Sequence, residues 1–320
     1  MAVHQNSPFV AKIRLSSTVL SLLFLLIAHS RGQAIRELPL IPDPEARTID
    51  YLAQEKRWSE LVTAARELTI SHPDDANSFY WLGTAHLQLH DAANAIPPLR
   101  KAQKLGLDTS LLHESLGLAY YDLNQFVLFE QQMRQAAEKD PKDFRPVYYL
   151  GLYQLTIRSD AVGALARFDQ AIEIQPDDWK SLYEAGNCLE KLAKPAQAEI
   201  YYKRAIVSIE MNHQRFGWPF QGMARLLLEH DPQQALQFAT KAVEAEPDEY
   251  SNHVILAKVY KRLDRSPDAI REAQTATSLS PNDASARYLL FLLLRDAGQR
   301  EPAENELRVF RQINTVYGTE

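Results

Sequence analysis

Between residues 42 and 317 apolar side chains return every three or four positions, in stretches of about a dozen, with short polar breaks between them. That period predicts amphipathic helices. Phe79, Leu82, His86 and Leu89 trace one helical face, and Val147, Leu150 and Leu155 trace another. Breaks such as His90-Asp91 and Leu123-Asn124-Gln125 end a first helix, and a second one, such as Ala92 to Leu105, follows. Asp75, Thr109, Asp143, Asp178, Glu249 and Asp283 stand where N-caps are needed, because their side chains accept hydrogen bonds from the first unpaired amides of a helix. The pattern predicts an all-α chain of helical hairpins.

The hairpins recur in sequence. Gly83, Gly117, Gly151, Gly186 and Gly222 are 34, 34, 35 and 36 residues apart. Pro73, Pro141, Pro176, Pro247 and Pro281 keep the same phase, as do Ala95, Ala164, Ala198, Ala235, Ala269 and Ala303. A mid-helix glycine costs about 1 kcal/mol against alanine, so its recurrence needs a compensating contact. The expectation is close approach of paired helices, with the alanines of the second helix facing the glycines. The prolines stop each second helix, since proline cannot continue the hydrogen-bond ladder.

Phe79-Tyr80-Trp81-Leu82-Gly83 with Ala95 and Ala102, and Val147-Tyr148-Tyr149-Leu150-Gly151 with Ala164, Phe168, Ala171 and Pro176, carry a recognisable signature. Ala198, Tyr202 and Ala205 continue it, as do Ala269, Ala276 and Pro281. The chain resembles the tetratricopeptide repeat. That resemblance implies a right-handed superhelical solenoid of about eight repeats, at 42–75, 76–109, 110–143, 144–178, 179–214, 215–249, 250–283 and 284–317. Departures are local. The first repeat lacks Leu-Gly, having Ile49-Asp50, and Phe129 stands where a small residue is expected. The joint before Phe216-Gly217-Trp218-Pro219-Phe220 is lengthened, with Pro219 starting a late helix, a spot where the array is expected to bend or loosen. Leu289 to Leu294 is apolar on every side of its helix, unusual for a terminal repeat.

The resemblance also implies a groove lined by the first helices. Carried over repeat by repeat, its candidate residues are Tyr80, Tyr121, Tyr148, Lys180, Tyr183, Asn187, Lys258, Lys261, Arg262 and Tyr288. Tyrosine suits peptide capture, because it offers a rigid apolar plate and a hydroxyl at small entropic cost. The lysine and asparagine clamp that some family members use for a terminal carboxylate is not reproduced, since tyrosine replaces lysine and Asn187 is the lone matching asparagine.

Ahead of the repeats, Lys12 and Arg14 precede the run LSSTVLSLLFLLIA at residues 15–28, and Ala28 and Ser30 offer a small-x-small site. A basic start, a short apolar core and small residues read as a secretory signal. Residues 1–32 are therefore assigned to it, 33–41 to a linker and 318–320 to a tail. The alternative is an uncleaved anchor over residues 13–28, with the repeats outside the cytoplasm in either case.

Composition narrows the chemistry. The 320 residues carry 35 basic and 41 acidic side chains, a net charge of −6, which lacks the electrostatic footprint of a nucleic-acid binder. Cys188 is the sole cysteine, so no internal disulfide or cysteine-rich metal site forms. Gly-rich nucleotide loops are missing. His86 and His90 have metal-ligand spacing without an obvious third ligand beyond Asp91 or His113, and they read as packed and loop histidines. Cys188 reads as a small buried hydrophobe. No cofactor and no catalysis are expected, a helical enzyme being the remote alternative. The expected protein is an exported scaffold that binds a peptide or protein in its groove. Its rival is a membrane-anchored assembly subunit docking through the apolar last repeat.

Overall fold

The computed structural model describes residues 44–317, so the secretory segment, the linker and the 318–320 tail lie outside the described residues. Sixteen helices and no strand occur among the described residues. They are α1 (Pro44–Gln54), α2 (Trp58–Ser71), α3 (Ala76–Gln88), α4 (Ala92–Lys104), α5 (Ser110–Asp122), α6 (Phe126–Lys139), α7 (Arg145–Thr156) and α8 (Ala161–Ile174). Then follow α9 (Trp179–Lys191), α10 (Pro195–Met211), α11 (Trp218–Leu227), α12 (Pro232–Ala245), α13 (Tyr250–Arg262), α14 (Ser266–Leu279), α15 (Ala284–Asp296) and α16 (Arg300–Tyr317). The chain divides into two compact units, with the boundary between Pro141 and Lys142.

Local chemistry starts and stops these helices largely as the sequence predicts. The Asp75 carboxylate accepts from the amides of Asn77 and Ser78, and Thr109 Oγ1 from that of Leu112. Asp178, Glu249 and Asp283 cap α9, α13 and α15 in the same way. Asp143 departs from the rule. Pro146 holds the second helical position of α7, the N-cap is Phe144, and Asp143 binds the Arg145 amide and guanidinium instead. At the breaks between paired helices, a residue of positive φ closes the turn: Lys56, His90, Asn124, Ser159, Ala193, Asp264 and Gly298. The two prolines inside α4, Pro97 and Pro98, would leave the carbonyls of Ala93 and Asn94 without amide partners, and both of those residues are exposed to water.

In the first unit α3 packs on α4 and α5 on α6, and the hairpins stack through α2 on α3 and α4 on α5. In the second unit α7 through α16 pack consecutively, and α7, α9, α11, α13 and α15 also touch in succession. The first helices of that unit therefore form one continuous layer. Its core is a chain of clusters, one joining Leu189, Tyr202, Ile206, Phe220 and Met223, the next Ala224, Ala239, Leu256 and Val259. Stability distributed over neighbouring junctions is the signature of a repeat array.

The recurrent glycines are tight contacts whose nearest partners are large side chains, and at Gly83 the carbonyl of the expected Ala95 lies 2.9 Å from a Cβ as well. A Cβ on Gly83 would fall 2.5 Å from Leu99 Cγ, on Gly117 2.8 Å from Met133 Cε, and on Gly151 2.8 Å from Phe168 Cε1. The glycine leaves a notch, and a large side chain of an adjacent helix fills it, of the following helix at Gly83, Gly117, Gly151 and Gly186 and of the preceding one at Gly222. Gly186 and Gly222 share one such partner: a Cβ on either would lie within 2.8 Å of the Tyr202 ring. The small alanines do something else. Ala95, Ala164, Ala198, Ala205 and Ala242 are fully buried and let the second helices lie close to their neighbours.

The lengthened joint after α10 is pinned. The Gly217 amide donates to Glu246 Oε2 at 2.6 Å, and Asn252 Nδ2 donates to the carbonyls of Ala242 and Glu246 at 3.0 and 3.1 Å. Phe216 stacks on Trp179 with ring centroids 4.4 Å apart, and Pro219 sits in the first turn of α11. The apolar row of α15 has a structural use as well. Leu289, Leu290, Leu293 and Leu294 form a core cluster with Ala257, Ile270, Ala273 and Ala303, while Phe291 and Leu292 stay partly exposed.

Candidate functional site

The ten groove residues read from the sequence fall into three environments. In the first unit Tyr80 on α3 and Tyr121 on α5 are buried. The Tyr121 ring meets Phe126 and Phe129 edge-on, 5.6 and 5.2 Å between centroids. At the end of the second unit Lys258, Lys261 and Arg262 on α13 are exposed, but two of them are paired. Lys261 Nζ lies 3.3 Å from Asp296 Oδ2 and Arg262 Nε 3.3 Å from Glu229 Oε2. Tyr288 is 43% exposed and leans on Phe291 and on Phe310 of α16, away from the other tyrosines.

Tyr148, Lys180, Tyr183 and Asn187 are different, because α7, α9 and α11 bring them into one cluster. Tyr148 is buried against Phe168, with centroids 5.7 Å apart. Tyr183 stands between the rings of Tyr202 and Trp218, at 5.7 and 6.0 Å. Asn187 lies one helical turn further along α9. Its Nδ2 donates to Glu184 Oε2 at 3.1 Å, and its Oδ1 accepts from the Tyr202 hydroxyl at 2.8 Å and from Arg225 at 2.9 Å. Arg225, from α11, also donates through Nε to Glu190 Oε2 at 2.8 Å and through Nη2 to the Tyr202 oxygen at 3.0 Å. Helices α9, α10 and α11 thus meet in a hydrogen-bonded knot, and α7 adds a buried tyrosine ring beside it.

The electrostatics follow from enclosure. Part of the Glu184 surface still reaches solvent, yet protein atoms surround its carboxyl, and burial pushes it up from 4.5 to about 7. Burial raises the Tyr148 and Tyr183 hydroxyls, and the charge of Glu184 adds to both shifts. Lys180 is lowered by burial, an effect that Asp178 partly offsets. The Cys188 thiol is pushed up to about 12 by burial and is a packed, inert group.

Glu184 and Arg225 were not among the residues singled out by sequence, and Tyr202 was read as a repeat-signature residue and not as part of the groove. Glu184 directly follows a groove tyrosine, and Arg225 occupies the position taken by Tyr120 and Tyr260 in other repeats, so an unusual polar residue at a packing position is the available signal. Of the histidines, His86 Nδ1 lies 3.1 Å from Asp91 Oδ2, His90 closes a turn, and His113 is held between Gln132 and Asp108.

Comparisons with known proteins agree with this architecture. The family model described as the tetratricopeptide repeat matches residues 50–110 and 159–210. The structure is similar to the APC/C hetero-tetramer Cut9-Hcn1, at 15% identity and TM-score 0.66, covering 89% of this chain. The chain spans 57% of the length of that protein chain. It is also similar to yeast Tom70, at 15% identity and TM-score 0.61, over 95% of this chain and 72% of that one. A third similar structure is PilF of Pseudomonas aeruginosa, at 20% identity and TM-score 0.56, over 67% of this chain and 95% of that one. No curated protein matches the sequence. At these identities the structural likeness speaks for the fold.

Proposed function

Because the chain is a tetratricopeptide-repeat protein, we propose that it is an exported scaffold that captures an extended polypeptide along the first helices of its second unit. The repeat is a fold that generally mediates protein–protein contact and is generally not enzymatic. The observation that carries the finer reading is the convergence of α7, α9 and α11 on Tyr148, Tyr183, Asn187 and Arg225. Rigid aromatic rings beside oriented amide and guanidinium donors are the composition of a peptide-binding hot spot. Lys258 extends the same layer with a cationic head that has no ion-pair partner among the described residues, whereas Lys261 and Arg262 already have acidic partners.

Export rests on the basic start and apolar run of residues 1–30. No helix among the described residues is long and apolar enough to cross a membrane, so an anchored form would hold the membrane by residues 13–28. The groove reading is tested by photocrosslinking. A photoreactive phenylalanine at Tyr183 is expected to capture a partner polypeptide from envelope extract, while the same probe at Ile200, exposed on the second helix α10, captures none. Capture at Ile200 alone would place the partner on the other face and overturn the reading.

A further inference from the structure

Two neighbouring first helices of the second unit repeat one surface pattern. On α13 successive turns present Val254, Lys258 and Lys261; on α15, 34 residues later, the matching positions are Tyr288, Leu292 and Arg295. Steps of four and three residues put each row on one helix face. The two faces adjoin, because Lys261 Nζ lies 3.3 Å from Asp296 Oδ2 across the gap between the helices. Val254 and Phe291 pack, half-buried, on the core cluster beneath. Tyr288 rests on the rings of Phe291 and Phe310, at 5.7 and 5.1 Å between centroids, and 43% of it remains exposed.

Charge on this face is unevenly matched. Lys261 and Arg295 converge on a single carboxylate, that of Asp296, at 3.3 and 2.7 Å, and Lys258 has no ion-pair partner among the described residues. Three cations against one acid leave a local excess of two positive charges, on a chain whose net charge is −6. Arg262 adds nothing to it, being paired with Glu229 at 3.3 Å. Arg295 also lies over the Phe291 ring at 5.6 Å, which keeps its guanidinium beside the apolar floor. A basic guest would meet like charge here, and a wholly apolar one would strip water from the Lys258 ammonium without replacing it. An excess of two charges is too small to hold a nucleic-acid backbone, which requires many phosphates to be neutralised.

We infer that this face of α13 and α15 binds an internal polypeptide segment in which aspartate or glutamate stands beside an aromatic or branched aliphatic residue. The inference rests on reading the first-helix layer as the polypeptide-binding face, and it specifies the chemistry of the guest at the far end of that layer. The guest's apolar side chain packs on Tyr288 and Leu292. Its carboxylates pair with Lys258 and with the Nη1 edge of Arg295, since Asp296 occupies Nε and Nη2. The aromatic anchor supplies most of the affinity, while the exposed ion pairs supply orientation, partner choice and association rate. The recognised carboxylates are side chains, so the guest needs no free chain end.

A random peptide library displayed on phage and selected on the full chain tests this. Selection is expected to enrich aspartate or glutamate beside a large apolar residue, and a photoreactive phenylalanine at Leu292 is expected to crosslink the selected peptides made synthetically. Lys258→Glu alters an exposed side chain that packs on nothing in the core. It is expected to weaken such a peptide about fivefold or more, and replacing the peptide's acidic residue by lysine is expected to restore binding to the variant. Tyr288→Ala is expected to cost about tenfold or more, with circular dichroism checking the fold, and Lys258→Glu carries the test alone should that variant be unfolded. Association is expected to slow with added salt, and less so on Lys258→Glu. Amidating the peptide C-terminus is expected to leave binding unchanged. Peptides that crosslink at Tyr183 but show no acidic preference, that bind Lys258→Glu as tightly as the unaltered protein, or that lose binding on amidation would overturn this subsite and leave the groove standing. Peptides that bind only the second-helix face, or a selection that yields no binder, would overturn both.

Discussion

Ala193 closes the turn between α9 and α10 at φ +56°, a region that costs a side chain with a Cβ about 1–2 kcal/mol. Glycine at this position removes that strain at a smaller entropic cost, so Ala193→Gly is expected to stabilise the protein by about 0.5–1 kcal/mol in urea melts. Ordinary helical Ala→Gly changes have the opposite sign. Glu184 offers a second single-residue test, through pH. Its folded value, about 7, lies above the ordinary 4.5, so folding favours the protonated carboxyl. The corresponding stability is complete below about pH 4.5 and is lost as pH rises through 7. Glu184→Gln is therefore expected to match the unaltered protein in thermal melts at pH 4 and to exceed it by about 1–3 kcal/mol at pH 8. A gap of equal size at both values would show that ionisation of Glu184 carries no folding cost. Residue-level chemistry was legible where it is local: the caps at Asp75, Thr109, Asp178, Glu249 and Asp283 follow from the neighbouring amides. Asp143 was misread because Pro146 lies in the first turn of α7 and the N-cap falls on Phe144.

At the scale of helices, the period of thirty-four residues signalled an all-α array of hairpins, because helix packing repeats whenever the chain returns to an equivalent place in its repeat. The glycines were correctly expected to be close contacts. Their partners were legible in part: the Ala95 carbonyl does meet Gly83, but the side chains that fill the notches depend on rotamers, which a period does not fix. Gly151→Leu drives side-chain atoms into the Phe168 ring, where even a Cβ would lie 2.8 Å away. It is expected to cost roughly 1–3 kcal/mol or more in chemical denaturation, and a normal midpoint would show that the notch relaxes freely. The candidate site was half legible for the same reason. Tyr148, Lys180, Tyr183 and Asn187 follow from their place in the repeat. Arg225 reaches them from α11, across a joint whose length breaks the period, and the meeting depends on side-chain reach.

For the molecule as a whole, the second unit places its buried apolar groups in successive clusters, each shared by adjacent helices. Damage in such an array stays near its source. In the Gly151→Leu variant, amide hydrogen exchange is expected to accelerate in α7, α8 and α9 and to stay unchanged in α15 and α16. Uniform acceleration would mean that the unit opens all at once. Tyr202 sets a limit on that independence. Its ring is wedged into the backbones of both Gly186 and Gly222, and its hydroxyl belongs to the knot of Asn187, Glu190 and Arg225. One fully buried side chain is thus at once the spacer between two repeats and the anchor of the polar knot beside it. Evolution at this point is therefore constrained twice: a lineage that replaces Arg225 or Asn187 must rehouse the Tyr202 hydroxyl, and one that replaces Tyr202 must refill the notches of two glycines.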